Sequence, residues 1–123
     1  MGKPVTWFEI IAKDAAKSQA FYAELFGWKI DASNPMKYGV IDTGTSDGIK
    51  GGIGQAMPQM PVKGLTFYVQ VDDVDSYLKK AEKLGGKTAM PKFDVPMPDG
   101  PTIAVLTDPD GNTVGLLQAP KKS

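Results

Sequence analysis

The chain has 123 residues, a length that fits one domain with a buried core, and its 14 Lys+Arg balance 14 Asp+Glu. That balance leaves no basic field to hold nucleic acid or an anionic membrane, and no apolar run is long enough to span a bilayer. Cysteine and histidine are both absent, which excludes a disulfide framework, a thiol nucleophile, and imidazole as general base or metal ligand.

Val5–Ala12 alternates as a strand, with Phe8, Ile10 and Ala12 on one side and Trp7, Glu9 and Ile11 on the other. Asp14 is the expected N-cap of a helix running to about Phe26. Ala16, Ala20, Phe21 and Leu25 share one side of it at helical spacing, and Gly27 can end it. Trp28–Ala32 and Met36–Thr43 read as strands separated by a turn at Ser33–Pro35. A Gly-rich strand follows at Lys50–Ala56. "MPQMPVKG", from Met57, has two prolines and no periodicity and reads as a linker. Leu65–Val71 is then a strand, Asp72 or Asp73 a cap, and Val74–Leu84 a helix stopped at Gly85-Gly86; Val74, Tyr77, Leu78, Ala81 and Leu84 are its apolar positions. Lys87–Met90 begins a strand, "PKFDVPMPDGP" reads as a long turn-rich loop, and Thr102–Thr107 and Thr113–Gln118 are strands joined by the turn "DPDGN".

The second half repeats the first. Phe8 and Phe67 lie 59 positions apart, as do Asp14 and Asp73, Leu25 and Leu84, and Gly27 and Gly86. Later the offset becomes 63, pairing Gly48 with Gly111, Gly52 with Gly115 and Gln55 with Gln118. An ordered series of this kind points to internal duplication, with four residues added in the Pro-rich loop of the second copy. The chain is expected to be α+β: two tandem βαβββ modules, about 4–56 and 64–119 around a linker at 57–63, forming a curved mixed sheet around a shared cleft. The face toward that cleft carries Trp7, Glu9 and Ile11 in one half and Thr66, Tyr68 and Gln70 in the other, a mixture suited to a small ligand.

With "FEI…FYAELFGW", "VQVDDVD…KAEKLGGK" and "LTDPDGNTVGLLQ", the sequence resembles the vicinal oxygen chelate superfamily, the glyoxalase, bleomycin-resistance and extradiol-dioxygenase group, from Val5 to Gln118. Metalloenzymes of that group take ligands from the first and last strand of each module. The resemblance puts those positions on Trp7, Thr66, Gly52 and Gly115. Three of these have no ligating side chain and Thr66 offers only a weak hydroxyl, so no metal cofactor is expected. A shift in register would bring in Glu9, but a single carboxylate does not hold a catalytic metal. The resemblance further implies a homodimer.

Trp7 can stack on a planar ligand or simply anchor the two halves. Glu9 can act as a general base or meet a ligand amine; its plainer role is a carboxylate paired with a lysine. Tyr68 and Gln70 can hydrogen-bond a ligand or serve cross-strand packing. Gly51, Gly52 and Gly54 can admit close approach, and a bulge or bend is the preferred reading. Asp108, Asp110 and Asn112 lack the terminal Glu of a calcium loop and read as a turn. Asp72, Asp73 and Asp75 read as cap and first-turn charges. Met57, Met60, Met90 and Met97 read as gap-fillers.

The leading expectation is a cytoplasmic protein that binds a small organic molecule over Trp7, Glu9, Gly52, Thr66, Tyr68, Gln70 and Gly115, without metal. Absence of net charge argues against a cationic drug such as bleomycin as ligand. The alternatives are a glyoxalase-like lyase or isomerase, or a dioxygenase-related enzyme, with Glu9 as base and Tyr68 stabilising an enolate, and a non-catalytic interaction module whose cleft Trp7 closes.

Overall fold

A computed structural model describes residues 2–58, 64–97 and 99–120. Met60, Pro98, the Lys121-Lys122 tail and most of the expected linker lie outside the described residues. The chain divides into two compact units. One is Thr6–Thr66; the other runs from Phe67 onward and takes in the N-terminal residues through Val5.

The first unit contains β1 (Val5–Ala12, from Thr6 on), α1 (Ala15–Phe26), β2 (Lys29–Asp31), β3 (Gly39–Asp42) and β4 (Lys50–Gln55). Its strands lie in the order β2-β3-β4-β1, with β1 and β4 parallel and the others antiparallel. The second unit contains most of β5 (Gly64–Gln70), then α2 (Val74–Lys83), β6 (Lys87–Asp94), β7 (Thr102–Thr107) and β8 (Thr113–Gln118). Its order is β5-β8-β7-β6, with β5 and β8 parallel. Each unit is therefore strand–helix–three strands, and the expected α+β class holds.

Local chemistry sets both helix ends. The Asp14 carboxylate accepts from Lys17 N at 3.1 Å, and Gly27, at φ 71°, closes α1 by donating to the Ala23 carbonyl. Asp73, not Asp72, caps α2: its carboxylate accepts from Asp75 N at 3.1 Å and from Ser76 Oγ at 2.9 Å. Gly85 takes the left-handed turn at φ 99°, while Gly86 is needed for space, because a Cβ there would lie 2.7 Å from the Thr107 carbonyl oxygen.

The duplication extends to side-chain roles. Gln55 Oε1 accepts from the first helical N–H, Ala15 N, at 3.0 Å; Gln118 Oε1 accepts from Val74 N at 3.1 Å. Each final strand thus holds the start of its unit's helix through a glutamine. The register agrees: Glu9 pairs with Gly52 as Tyr68 pairs with Gly115, and Ile10 with Ile53 as Val69 with Leu116. Gly48 and Gly111 both have positive φ, 81° and 90°, in the turn before the last strand.

Three expectations change. The stripe Ala16, Ala20, Phe21 and Leu25 faces outward; Ala15 is the buried residue of α1, and Gln19 on that side donates to the Ile53 carbonyl at 3.0 Å. Residues 91–94 are strand, not loop. β6 is the last strand in its unit's order and bears two register shifts between Thr88 and Phe93, where Pro91 can be accommodated. β3 starts at Gly39 instead of Met36, since Lys37 has φ 52°. The core of the second unit is Val71, Val74, Leu78, Ala104 and Leu116, whereas Phe67 and Leu84 remain exposed.

Two stability effects follow. Gln118→Ala removes the acceptor of Val74 N and should cost about 1 kcal/mol in urea unfolding, with a similar cost for Gln55→Ala. The Ser76 hydroxyl holds the Asp73 carboxyl below its usual 3.8, aided by N–H groups and Lys92 and opposed by desolvation. Its folded-state value is depressed, so its contribution is complete above 3.8 and disappears as pH falls through the lower folded value. Asp73→Asn should therefore lose less stability than wild type between about pH 4 and pH 2, read by urea midpoints across that range.

Candidate functional site

In the first unit β1 and β4 pair without interruption from Trp7–Lys50 to Ala12–Gln55. The glycines of β4 therefore serve close approach and form no bulge. On the α1 side, a Cβ at Gly51 would overlap the Phe8 ring. On the opposite side, a Cβ at Gly52 would overlap the Tyr38 ring, and one at Gly54 would lie 3.0 Å from it. Glycine at both positions gives the aromatic ring a flat bed of backbone.

Tyr38 reaches that bed from the turn before β3. The Asn34 side chain fixes its backbone from both sides: Nδ2 donates to the Tyr38 carbonyl at 2.6 Å, and Oδ1 accepts from Tyr38 N at 3.0 Å. The left-handed backbone at Lys37 completes the turn. The Tyr38 hydroxyl then joins the two sequence-expected residues of β1. Trp7 Nε1 donates to it at 3.0 Å, and it donates to Glu9 Oε2 at 3.0 Å. Trp7, Tyr38 and Glu9 are all half-buried. Burial of the indole N–H and phenol O–H is thus compensated, and the carboxylate accepts a phenolic hydrogen bond.

Trp7, Glu9 and Gly52 are brought together in this unit, and Thr66 belongs to it, 2% exposed. The second unit has the same ring-over-glycine arrangement from a different origin. Tyr68 is 3% exposed, and a Cβ at Gly115 would overlap its ring. Gln70 lines an open groove of about 390 Å³ within the second unit, beside Lys3, Asp72 and Gln118. The Asp108 carboxylate accepts from Asp110 N, Asn112 N and Asn112 Nδ2 at 2.9–3.0 Å, which makes 108–112 a self-contained turn; the Asn112 amide foremost holds that carboxyl below its usual value.

Tyr38 is the residue that sequence reasoning missed. The expected strand Met36–Thr43 includes it, whereas β3 begins only at Gly39. The available signal was glycine at alternate positions 52 and 54, a smooth stripe that needs a large side chain above it.

The sequence profile of the glyoxalase/bleomycin resistance protein/dioxygenase superfamily matches residues 5–116. A candidate glyoxylase, CFP32 of Mycobacterium tuberculosis, is 34% identical over 119 residues, covering 92% of this chain and 44% of that protein. The anthracycline biosynthesis protein DnrV of Streptomyces peucetius is 31% identical over 121 residues, covering 85% of this chain and 43% of that protein. The chain thus spans less than half the length of these two relatives. A superfamily member of known structure from Vibrio splendidus shares the fold with a TM-score of 0.63 at 16% identity, covering 95% of this chain and 99% of that one.

A divalent metal of the kind implied by the resemblance does not fit these residues. Tyrosine rings occupy the volume into which side chains at Gly52 and Gly115 would extend. Trp7 commits its N–H to Tyr38 and has no lone pair to offer. Among the described residues there is no group of three or more His, Cys, Asp or Glu that could hold an ion. No helix of the described residues is long and apolar enough to cross a membrane.

The dependence of Tyr38 on glycine is measurable. Gly52→Ala should destabilise the protein by about 1–3 kcal/mol and shift Trp7 emission in a W28F background. In a Tyr38→Ala background the same substitution should be nearly silent, which a double-mutant cycle in urea detects.

Proposed function

We propose that this chain, which belongs to the glyoxalase/bleomycin resistance protein/dioxygenase superfamily, binds a small organic molecule on the face formed by Trp7, Tyr38 and Glu9 without using a metal. The observation that carries this reading is the hydrogen-bonded series Trp7–Tyr38–Glu9 laid over Gly52. Two aromatic groups and a carboxylate are held in fixed positions by one another. Such a surface suits a flat ligand whose hydroxyl or amine groups donate toward an acidic acceptor. Similarity to DnrV, a protein named for anthracycline biosynthesis, is in keeping with a polycyclic hydroxylated ligand.

A second reading has its own support. The phenol of Tyr38 donates to Glu9, an arrangement that positions a carboxylate for proton transfer. The similarity to CFP32, a candidate glyoxylase, makes lyase or isomerase chemistry the form it would take. Glu9, oriented by the hydrogen bond from Tyr38, would take a proton from the carbon next to a carbonyl, the C–H electron pair passing into the enolate, and the Glu9 acid would then return the proton to carbon.

Trp7 fluorescence in a W28F background, titrated with hydroxylated polycyclic aromatics, tests the first reading. Saturable quenching is expected, with affinity reduced about tenfold or more by Tyr38→Phe, which removes the hydroxyl and keeps the ring. Calorimetry with Zn, Ni, Mn and Fe(II) should give no stoichiometric tight binding; tight binding at one ion per chain would overturn metal independence. Calorimetric affinity for the same ligands unchanged by both Trp7→Phe and Tyr38→Phe would place the ligand elsewhere. For the second reading, Glu9→Gln should abolish turnover; turnover that survives the substitution would overturn Glu9 as the base.

A further inference from the structure

We infer that the groove at the ends of β5 and β8, within the second unit, binds a small zwitterion: an α-amino acid with an apolar side chain. The groove has a volume of about 390 Å³, in the range of small-molecule sites, and is lined by Lys3, Gln70, Val71, Asp72 and Gln118 among others. It shares no residue with the Trp7–Tyr38–Glu9 face, so neither reading depends on the other. Comparison of the two units shows what leaves it open. In the first unit the corresponding place is closed by hydrogen bonds. β1 and β4 pair as far as Ala12–Gln55, Ala56 N donates to the Ala12 carbonyl at 2.8 Å, and Gln55 Nε2 donates to the Lys13 carbonyl at 2.6 Å.

The second unit stops one pair short. By the repeat offsets of 59 and 63, Ala12, Lys13, Gln55 and Ala56 correspond to Val71, Asp72, Gln118 and Ala119. β5 and β8 pair only as far as Gln70–Leu117, and Val71 N still donates to the Leu117 carbonyl at 2.9 Å. Gln118 Oε1 still accepts from Val74 N at 3.1 Å. Among the described residues, however, Ala119 N makes no bond to the Val71 carbonyl, and Gln118 Nε2 makes none to the Asp72 carbonyl. Two donors and two acceptors whose counterparts close the first unit are therefore open to a ligand. The N-terminal segment is held against the same groove, because Gln70 N donates to the Pro4 carbonyl at 2.9 Å.

The charges are complementary to a zwitterion. Lys3 and Asp72 line one groove, and among the described residues neither belongs to an ion pair, so they do not neutralise each other across it. A ligand carboxylate can accept from Lys3 Nζ, Gln118 Nε2 and Ala119 N, while a ligand ammonium can donate to the Asp72 carboxylate and the Val71 carbonyl. Pro4, Val71 and Ala119 add apolar surface for an aliphatic side chain. A simple carboxylate would lie beside the uncompensated charge of Asp72, and a simple amine beside that of Lys3. An α-amino acid meets both charges with one small molecule.

Leucine, titrated into the isotope-labelled full chain and followed by NMR, tests this. The side-chain amide resonance of Gln118, identified by its loss in Gln118→Glu, and the backbone amides of Val71 and Ala119 should shift saturably, with a Kd of about 1 mM for so small a ligand. N-acetylleucine, which lacks the cation, and leucine amide, which lacks the anion, should each bind about tenfold more weakly. Gln118→Glu keeps an acceptor for Val74 N and removes the donor, so it should weaken leucine about tenfold while the helix start is retained. Lys3→Ala and Asp72→Asn should each weaken leucine by about the same factor. Lys3 and Asp72 are exposed and cap neither helix, and circular dichroism verifies folding; if Gln118→Glu misfolds, these two variants and the two derivatives still decide. No saturable shift up to about 50 mM leucine, equal affinity for leucine and either derivative, or leucine binding unchanged by Lys3→Ala and Asp72→Asn would each overturn the inference.

Discussion

A Cβ at Gly52 has no space, because the ring of Tyr38 lies where it would be. That contact governs the arrangement of the first unit's β1 surface. The ring can lie flat only on a strand without side chains on that side, which requires glycine at 52 and very little bulk at 54. Once seated, its hydroxyl comes within 3.0 Å of both Trp7 Nε1 and Glu9 Oε2. The indole, phenol and carboxylate then restrain one another. The same contact has a chemical consequence: a ligating side chain on β4 and an aromatic ring on β4 are mutually exclusive. The first unit takes the ring from the turn before β3, and the second takes it from β5 as Tyr68 over Gly115. Two solutions of different origin arrive at the same exclusion.

The helix side of each unit follows another constraint. A final strand that ends in glutamine at the level of the helix start can accept the first helical N–H. Gln55 and Gln118 do this for α1 and α2. Gln55 also donates its amide Nε2 to the Lys13 carbonyl at 2.6 Å, tying the β1–α1 connection to β4. The helix dipole gains an acceptor at its positive end without a charge. This explains why the spacing between Asp14 and Gln55 can differ from that between Asp73 and Gln118 by four residues. The additional chain lies between β6 and β7, outside the cap geometry, and leaves the parallel register of each unit's first and last strands intact.

Much of this was legible in the sequence because it depends on local chemistry. Asp14, Gly27 and the 108–112 turn act through neighbours a few positions away, and alternation in β1 separated Trp7 and Glu9 from Phe8. Helix orientation was not legible. α1 carries apolar residues on both sides, and periodicity favours Ala16, Ala20, Phe21 and Leu25. The actual inward side includes Gln19, whose amide is satisfied by the Ile53 carbonyl, a partner 34 positions away that no local pattern reveals. Tyr38 was hidden for the same reason. It lies 31 positions from Trp7, and the Asn34 clamp that aims it involves a turn whose shape depends on left-handed Lys37. Residue 91 misled in another way, since proline suggests a loop wherever the strand's place in the sheet is unknown.

The mixture of groups on β1 also bears on what kind of chemistry the site can support. A divalent ion organises a site by charge, drawing carboxylates inward and compensating their desolvation. Here the Glu9 carboxylate accepts a hydrogen bond from a neutral donor, the Tyr38 hydroxyl, in a chain without histidine. A hydrogen bond from a neutral group stabilises a carboxylate less than a metal ion does. On the proposed ligand reading, such a surface would discriminate by the ligand's hydrogen-bond donors and its flatness. That selectivity differs from that of a metal centre, which discriminates by paired oxygen ligands. The aromatic ring above Gly52 thus does more than fill the space of a missing side chain: it changes the property by which a ligand would be selected.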